Sequence, residues 1–150
     1  MIRLPKKLLF AIEAVLDIAY NAGAQPVQSK DITARQGIPR RYLEQVLQKM
    51  VRAGILSGVR GPRGGYLLAR ERRRITLGDI TRVVATPERG EDTRSGPQSD
   101  LGLRIVGPVW DDLENGLIKR LDKVTIEELC LQAKQAGIES KAAERLDFVI

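Results

Sequence analysis

A chain of 150 residues that is 43% hydrophobic and 29% charged has the balance of a globular protein with one core and an appendage. No apolar run approaches the roughly 18 residues of a membrane span, and a single cysteine rules out an internal disulfide and suits a reducing compartment. The absence of histidine, of a Walker pattern, of paired-cysteine metal spacing and of a nucleophile–base pair excludes the common enzyme classes.

The basic start, Met1 to Lys7, precedes an apolar stretch as a signal peptide would. Glu13 and Asp17 interrupt that stretch and no small-residue cleavage site follows, so a cytoplasmic amphipathic helix is expected instead. The net charge of +6 is unevenly spread. Residues 1–74 carry 15 Lys/Arg and 5 Asp/Glu, whereas residues 75–150 carry 10 and 14. One half therefore suits phosphates and the other does not.

Leu8, Leu9, Ile12, Val15, Leu16, Ala19 and Tyr20 recur at helical spacing, which predicts a first helix from Lys6 to Ala22 ended by Gly23. Ser29 is the expected N-cap of a short second helix closed by Gly37. Pro39 suits the first turn of a third, running to Ala53. In that helix Leu43, Val46, Leu47, Met50 and Val51 form the expected buried stripe. Arg41, Glu44, Gln45 and Gln48, at i, i+3, i+4 and i+7, share the opposite surface.

Two short strands, Leu56 to Val59 and Tyr66 to Leu68, flank Arg60-Gly61-Pro62-Arg63-Gly64-Gly65. A helix pair in a tight turn followed by a basic hairpin is the layout of a winged helix-turn-helix, with one helix in a DNA groove and the hairpin on the adjacent backbone or minor groove. Thr76-Leu77-Gly78-Asp79 has capping-box spacing and opens a further short helix. Residues 86–100 hold proline, glycine and charge and read as a flexible loop.

Ile105, Val109, Trp110, Leu113, Leu117 and Leu121 return to helical spacing, with the regular helix expected to begin around Pro108. Thr125-Ile126-Glu127-Glu128 reads as a second capping box. The expected fold class is mainly α with a small β-hairpin. Residues 1–85 form the winged helix-turn-helix domain, residues 86–100 the loop, and residues 101–150 a long dimerisation helix and C-terminal tail.

The combination Asp31-Ile32, Gln36-Gly37-Ile38, Tyr42-Leu43-Glu44-Gln45, Arg60-Gly61-Pro62 and Gly64-Gly65-Tyr66-Leu67-Leu68 resembles the Rrf-two family of bacterial winged-helix regulators. Ile75-Thr76-Leu77-Gly78-Asp79-Ile80, Trp110 and Thr125-Ile126-Glu127-Glu128-Leu129 extend the resemblance over nearly the whole chain. It implies a homodimeric, site-specific DNA-binding transcription factor, usually a repressor. Two departures stand out. Cluster-binding members carry three cysteines and often a histidine before the long helix, where this chain has Asp92, Gln98, Arg104 and Gly107. Iron–sulfur clusters need soft thiolates, so no cofactor and no metal site are expected. Near the N-terminus, Pro5 and Leu8-Leu9 replace the family's small and polar residues.

Arg41 stands at the family's base-contacting position, where arginine grips guanine in bidentate fashion or merely holds a phosphate. Glu44 suits cytosine N4 or a helix salt bridge with Arg40 or Lys49; Gln45 suits adenine or is a solvated amide. Arg60 and Arg63, carried on Gly61, Gly64 and Gly65, are the wing contacts. Lys6, Lys7, Lys49 and Arg52 are phosphate candidates. Tyr66 reads as core.

The apolar stripe is too long for an isolated surface helix. Packing on the same helix of a second subunit covers it, and packing on the first helix is the intramolecular alternative. A dimer would read a roughly palindromic operator in duplex DNA, with half-sites about 34–36 Å apart or a multiple of that.

Cys130 reads as a buried thiol, with a sensing role or an atypical cofactor as the alternative. Cluster-free family members govern sulfur and cysteine metabolism and end in an aromatic-containing segment with a terminal isoleucine. The ending Phe148-Val149-Ile150 resembles such a tail, which implies a cysteine synthase as partner; a frayed or dimer-packing tail is the plainer reading. A winged helix serving as a protein-interaction adaptor is the competing function.

Overall fold

The computed structural model describes residues 4–86, 96 and 98–142. Six α-helices and one antiparallel hairpin are present among them: α1 Lys6–Asn21, α2 Ser29–Gln36, α3 Arg40–Arg52, β1 Leu56–Val59, β2 Gly65–Leu68, α4 Leu77–Ala85, α5 Gly107–Leu121 and α6 Ile126–Gln135. The expected loop at residues 86–100 falls largely outside the described residues, as does the tail segment Phe148, Val149 and Ile150.

One core joins the elements. Ala11, Val15 and Ile18 of α1 meet Ile32 of α2, Leu43, Leu47 and Met50 of α3, Ile80 of α4 and Ile126 and Cys130 of α6. Each is buried, and full burial of the valine, leucine, isoleucine and methionine side chains among them is worth about 1.5–3 kcal/mol apiece. The periodicity that predicts α3 builds its share of this core, but in α1 the buried apolar face is Leu8, Ala11, Ala14, Val15 and Ile18. Of the expected stripe only Leu8 and Val15 are buried; Ile12, Leu16, Ala19 and Tyr20 are partly buried against the core, and Leu9 is exposed. Tyr66 packs against it, as expected.

The start of α2 departs from expectation. Ser29 is already helical, Gln28 occupies the cap, and no side chain caps the helix. Strand-like pairing sets the entry instead: Val27 donates to Tyr66 O at 3.0 Å and Tyr66 donates to Val27 O at 2.8 Å. Tertiary pairing replaces the local cap. Gly37 closes α2 in the left-handed conformation, φ 67°. Ile38 in the turn is fully buried, and Pro39 sits at the cap of α3, one residue before its first turn.

The hairpin pairs Leu56 with Leu68 through to Val59 with Gly65. Gly64 and Gly65 are dictated by space. A Cβ on Gly64 would lie 2.1 Å from Val59 O, and one on Gly65, φ 154°, would lie 2.4 Å from Val27 O. The capping box of α4 forms in full: Asp79 N–H donates to Thr76 Oγ1 at 3.1 Å and Thr76 N–H to the Asp79 carboxylate at 3.0 Å. At α6 only the Thr125 half forms, with Glu128 N–H donating to Thr125 Oγ1 at 3.2 Å. Backbone bonds from Leu77 to Val124 O and from Ile126 to Ile75 O, both 2.9 Å, fasten the start of α6 to the start of α4.

The regular helix α5 begins at Gly107 with Pro108 in its first turn, as expected, but it continues an earlier helical stretch. Helical backbone is already present at Asp100, passes through a π turn at Gly102–Val106, and continues into α5 with Pro108 in its first turn. Gly107 N–H bonds to Gly102 O, five residues back. The wider turn accommodates a residue that has no N–H and whose ring would crowd a regular turn. At its other end α5 is tied to α4. Arg82 grips Asp122 with both guanidinium nitrogens, one contact at 2.8 Å. That hydrogen bond holds the Asp122 carboxyl below its ordinary pKa.

Candidate nucleic-acid interface

The outer surface of α3 is held by its inner one. With Leu43, Val46, Leu47 and Met50 buried, Arg41, Glu44, Gln45 and Gln48 emerge exposed. Arg52 is also exposed and Lys49 is half-buried. Glu44 accepts from Arg40 Nε at 3.3 Å. This is a solvent-exposed i,i+4 pair worth well under about 1 kcal/mol, so it can be exchanged for a base contact at little cost. Gln45 stands at the border between this face and a cavity on the flank of the helix.

Tyr42 fixes where the start of α1 sits. Its hydroxyl donates to Lys7 O at 2.6 Å and its ring lies 5.8 Å from that of Phe10. Burial pushes the phenol's pKa upward, which keeps it a donor. Lys6 and Lys7, both exposed, are thereby held beside α3.

Arg60 and Arg63 are exposed on the wing, and neither forms an ion pair with any described residue. The turn between them is braced twice. Gly64 N–H donates to Gly61 O at 2.9 Å, with Gly61 at φ 107°. Gln28 Nε2 donates to Pro62 O at 3.3 Å, linking the wing to the entry of α2. Two cations are thus offered on a stiffened turn of the hairpin that follows α3.

One element of the scaffold was not anticipated. Asp17, with its side chain fully buried, receives Arg35 at 2.9 and 2.8 Å and Gln36 at 2.8 Å. Asn21 donates to Asp17 O at 3.0 Å and accepts from Lys141 N–H at 3.1 Å. This network fastens α1 to α2 and sets the angle of the helix pair. The signal was present in the sequence: Asp17 occupies a position of the apolar stripe, three residues after Ala14.

Along α5 and the turn before it, Ile105, Val109, Trp110, Leu113 and Leu117 are 46–59% exposed. Leu121 differs: it is half-buried. Trp110 Nε1 donates to Glu114 at 2.9 Å. A contiguous apolar ridge of this kind marks an interaction surface.

A helix pair, a recognition helix with a polar outer face and a basic wing define a winged helix-turn-helix DNA reader. Residues 4–132 match the Rrf2 family, described as "Iron-dependent Transcriptional regulator". The chain is 37% identical over 132 residues to the HTH-type transcriptional regulator IscR of Escherichia coli, covering 85% of this chain and 79% of that one. It superposes on the structure of T. potens IscR with TM-score 0.70 and 32% identity, covering 90% of each chain. On that of CymR (YrzC), the global cysteine regulator of B. subtilis, the TM-score is 0.68 and the identity 27%, covering 88% and 98%. The chain belongs to the Rrf2 family and is a DNA-binding transcriptional regulator, not an enzyme.

The family's thiolate-bound iron centre does not fit this chain. There is one cysteine and no histidine in the whole sequence. Arg104 lies exposed in the π turn, Gly107 opens α5, Gln98 is exposed, and Asp92 falls outside the described residues. Among the described residues no three Cys, His, Asp or Glu side chains are grouped to hold a metal.

Cys130 is 4% exposed within the core, and burial pushes its thiol pKa up, with Arg72 pulling weakly the other way. A thiol held protonated and covered reacts slowly. We expect Cys130→Ala to leave DNA affinity within about twofold of wild type, the scale of a silent substitution. A thiol reagent should label native protein far more slowly than unfolded protein. Fast native labelling with loss of DNA binding would restore the sensing role.

Proposed function

We propose that the protein is a homodimeric repressor that reads a roughly palindromic operator. The outer face of α3 enters the major groove of each half-site and the wing lies on the adjacent backbone or minor groove. The observation that carries this reading is the combination of the exposed Arg41–Gln48 face with Arg60 and Arg63, which form no ion pair among the described residues, on the positively charged half of the chain. Arg41, Glu44 and Gln45 are the base contacts; Lys6, Lys7, Lys49 and Arg52 hold phosphates. The α5 ridge supplies the dimer seam, and no iron–sulfur cluster takes part. Likeness to CymR, named a global cysteine regulator, supports a regulon in cysteine metabolism, with a cysteine synthase reading the C-terminal tail.

The test is substitution with affinities measured against salt. Arg41→Ala and Gln45→Ala should each relax specificity at one base position by about 1–3 kcal/mol. Arg60→Ala should weaken all sequences alike and flatten the salt slope by about 0.9 per lost phosphate contact. Salt-independent binding, or an Arg41→Ala variant that weakens every site uniformly, would contradict these assignments. An adaptor would show no steep salt dependence at all.

A further inference from the structure

The first turn of α3 carries its charge the wrong way round for a helix with only its own stability to serve. Arg40 and Arg41 open it and no acidic residue lies in that turn, whereas the N-terminal end of a helix favours anions and disfavours cations. Arg40 offsets part of this by donating from Nε to Glu44, one turn on, at 3.3 Å. Both side chains stay open to water, 71% and 51% exposed, and a pair so exposed is weakly held. In a helix-turn-helix the N-terminal residues of the second helix are the ones that meet the base edges. Two cations at the positive end of that helix, one of them loosely paired, suit an anion from outside the chain, and DNA supplies it as phosphate.

A carboxylate in the major groove has one use and one cost. It accepts from a base amino group, cytosine N4 in the usual pairing, and meets only acceptors on guanine and thymine edges. Everywhere it is repelled by the phosphates, a cost that a paired guanidinium reduces. We propose that Arg40 is a positioning residue that makes base reading by Glu44 conditional, through an exchange of partners. Where cytosine N4–H faces Glu44, the carboxylate leaves Arg40 for the base and the freed guanidinium takes a backbone phosphate. Where no amino group faces it, the pair persists and that phosphate contact is missing. One base pair is thereby read twice, by the hydrogen bond and by a phosphate contact that depends on it. The exchange rests on the assignment of Glu44 as a base contact.

Its signature is a salt slope that depends on one base pair. Full-length protein is titrated with the DNA site recovered by selection from genomic DNA. Parallel titrations use duplexes that differ from it only at the base pair whose preference Glu44→Ala relaxes, in one half-site. Each phosphate contact contributes about 0.9 to the slope of log affinity against log salt. For wild type the cognate slope should exceed the others by that amount, so a fourfold rise in salt should shrink the preference for the cognate pair about 3.5-fold. Arg40→Ala should give every duplex the shallower slope. Glu44→Ala should give every duplex the steeper one, because Arg40 is then released on all of them. Arg40→Lys keeps the charge and should restore most of the difference. Arg40→Ala should also melt at the wild-type temperature, since α3 loses a cation from its positive end along with the pair.

Equal wild-type slopes on every duplex, with the preference for cytosine intact, would overturn the exchange and leave Glu44 a plain base contact. An Arg40→Ala variant that kept the slope difference would overturn it too, by making Arg40 a bystander. A Glu44→Ala variant that relaxed no position would overturn the exchange together with the assignment of Glu44 on which it rests.

Discussion

Leu113→Glu should leave the protein monomeric and lower its affinity for a two-fold operator by about 10²–10⁴-fold, the avidity that linking two half-sites confers. Leu113 lies at the middle of the α5 ridge and is 58% exposed in the single chain. A carboxylate there would have to be buried unpaired against a second α5, at a cost of several kcal/mol. Leu131→Glu is the matched control. Leu131 is also a large exposed leucine, 54%, but it stands on α6, off the ridge. Light scattering should find Leu113→Glu at the mass of one chain and Leu131→Glu at two. A dimeric Leu113→Glu would move the seam elsewhere and return the ridge to some other partner.

Asp17→Ala should destabilise the fold by about 3 kcal/mol, the low end for breaking a buried pair. That corresponds to a fall in Tm on the order of 10 °C for a domain of this size. The low end applies because the Arg35 side chain keeps 26% of its exposure and can be partly hydrated once Asp17 is gone. The loss has two parts: the two hydrogen bonds from Arg35, and the orphaning of the Gln36 amide. Since this network orients α2 against α1, DNA affinity should fall even at temperatures where the variant is folded. Asp17→Leu combined with Arg35→Met should recover most of the stability, because an apolar pair of similar volume avoids the desolvation of two charges. Thermal melts of the two variants, with Asp17→Leu and Arg35→Met each alone to close the cycle, decide it. A loss below about 1 kcal/mol for Asp17→Ala would reduce the network to an ordinary surface pair.

Much of this architecture was legible in the sequence wherever a residue type has one physical use. Gly37 has to end a helix in the left-handed region, and it does. Gly64 and Gly65 have to let backbones approach, and a Cβ at either would strike a carbonyl. Thr76 and Asp79 close on each other because both partners lie within one turn. The misreadings share a different cause. Ser29 is displaced from the cap by the pairing of Val27 with Tyr66, a contact distant in sequence that no local pattern encodes. Pro108 opens the regular helix as expected; what went unread is the π turn at Gly102–Val106 that leads into it, a choice of the backbone and not of the proline. Asp17 interrupts an apolar stripe, but its neutralisation by Arg35 from another helix is a tertiary fact.

The interface was legible in the same uneven way. The spacing of Arg41, Glu44, Gln45 and Gln48 puts them on one face wherever the helix sits. Their proximity to Lys6 and Lys7 depends on the Tyr42 hydroxyl reaching across to Lys7 O. The cavity on the flank of α3 is invisible in one dimension, because four separate elements wall it.

The central claim is that this chain recognises a two-fold-symmetric DNA site, and selection from the host's own genome tests it most directly. Purified protein would capture sheared genomic fragments at moderate salt, and the bound fraction would be sequenced. The account predicts enrichment of fragments sharing one roughly palindromic site upstream of a coherent set of genes, lost in Arg41→Ala and in Leu113→Glu. Enrichment of no sequence over the input, under conditions where the protein is folded and dimeric, would contradict it.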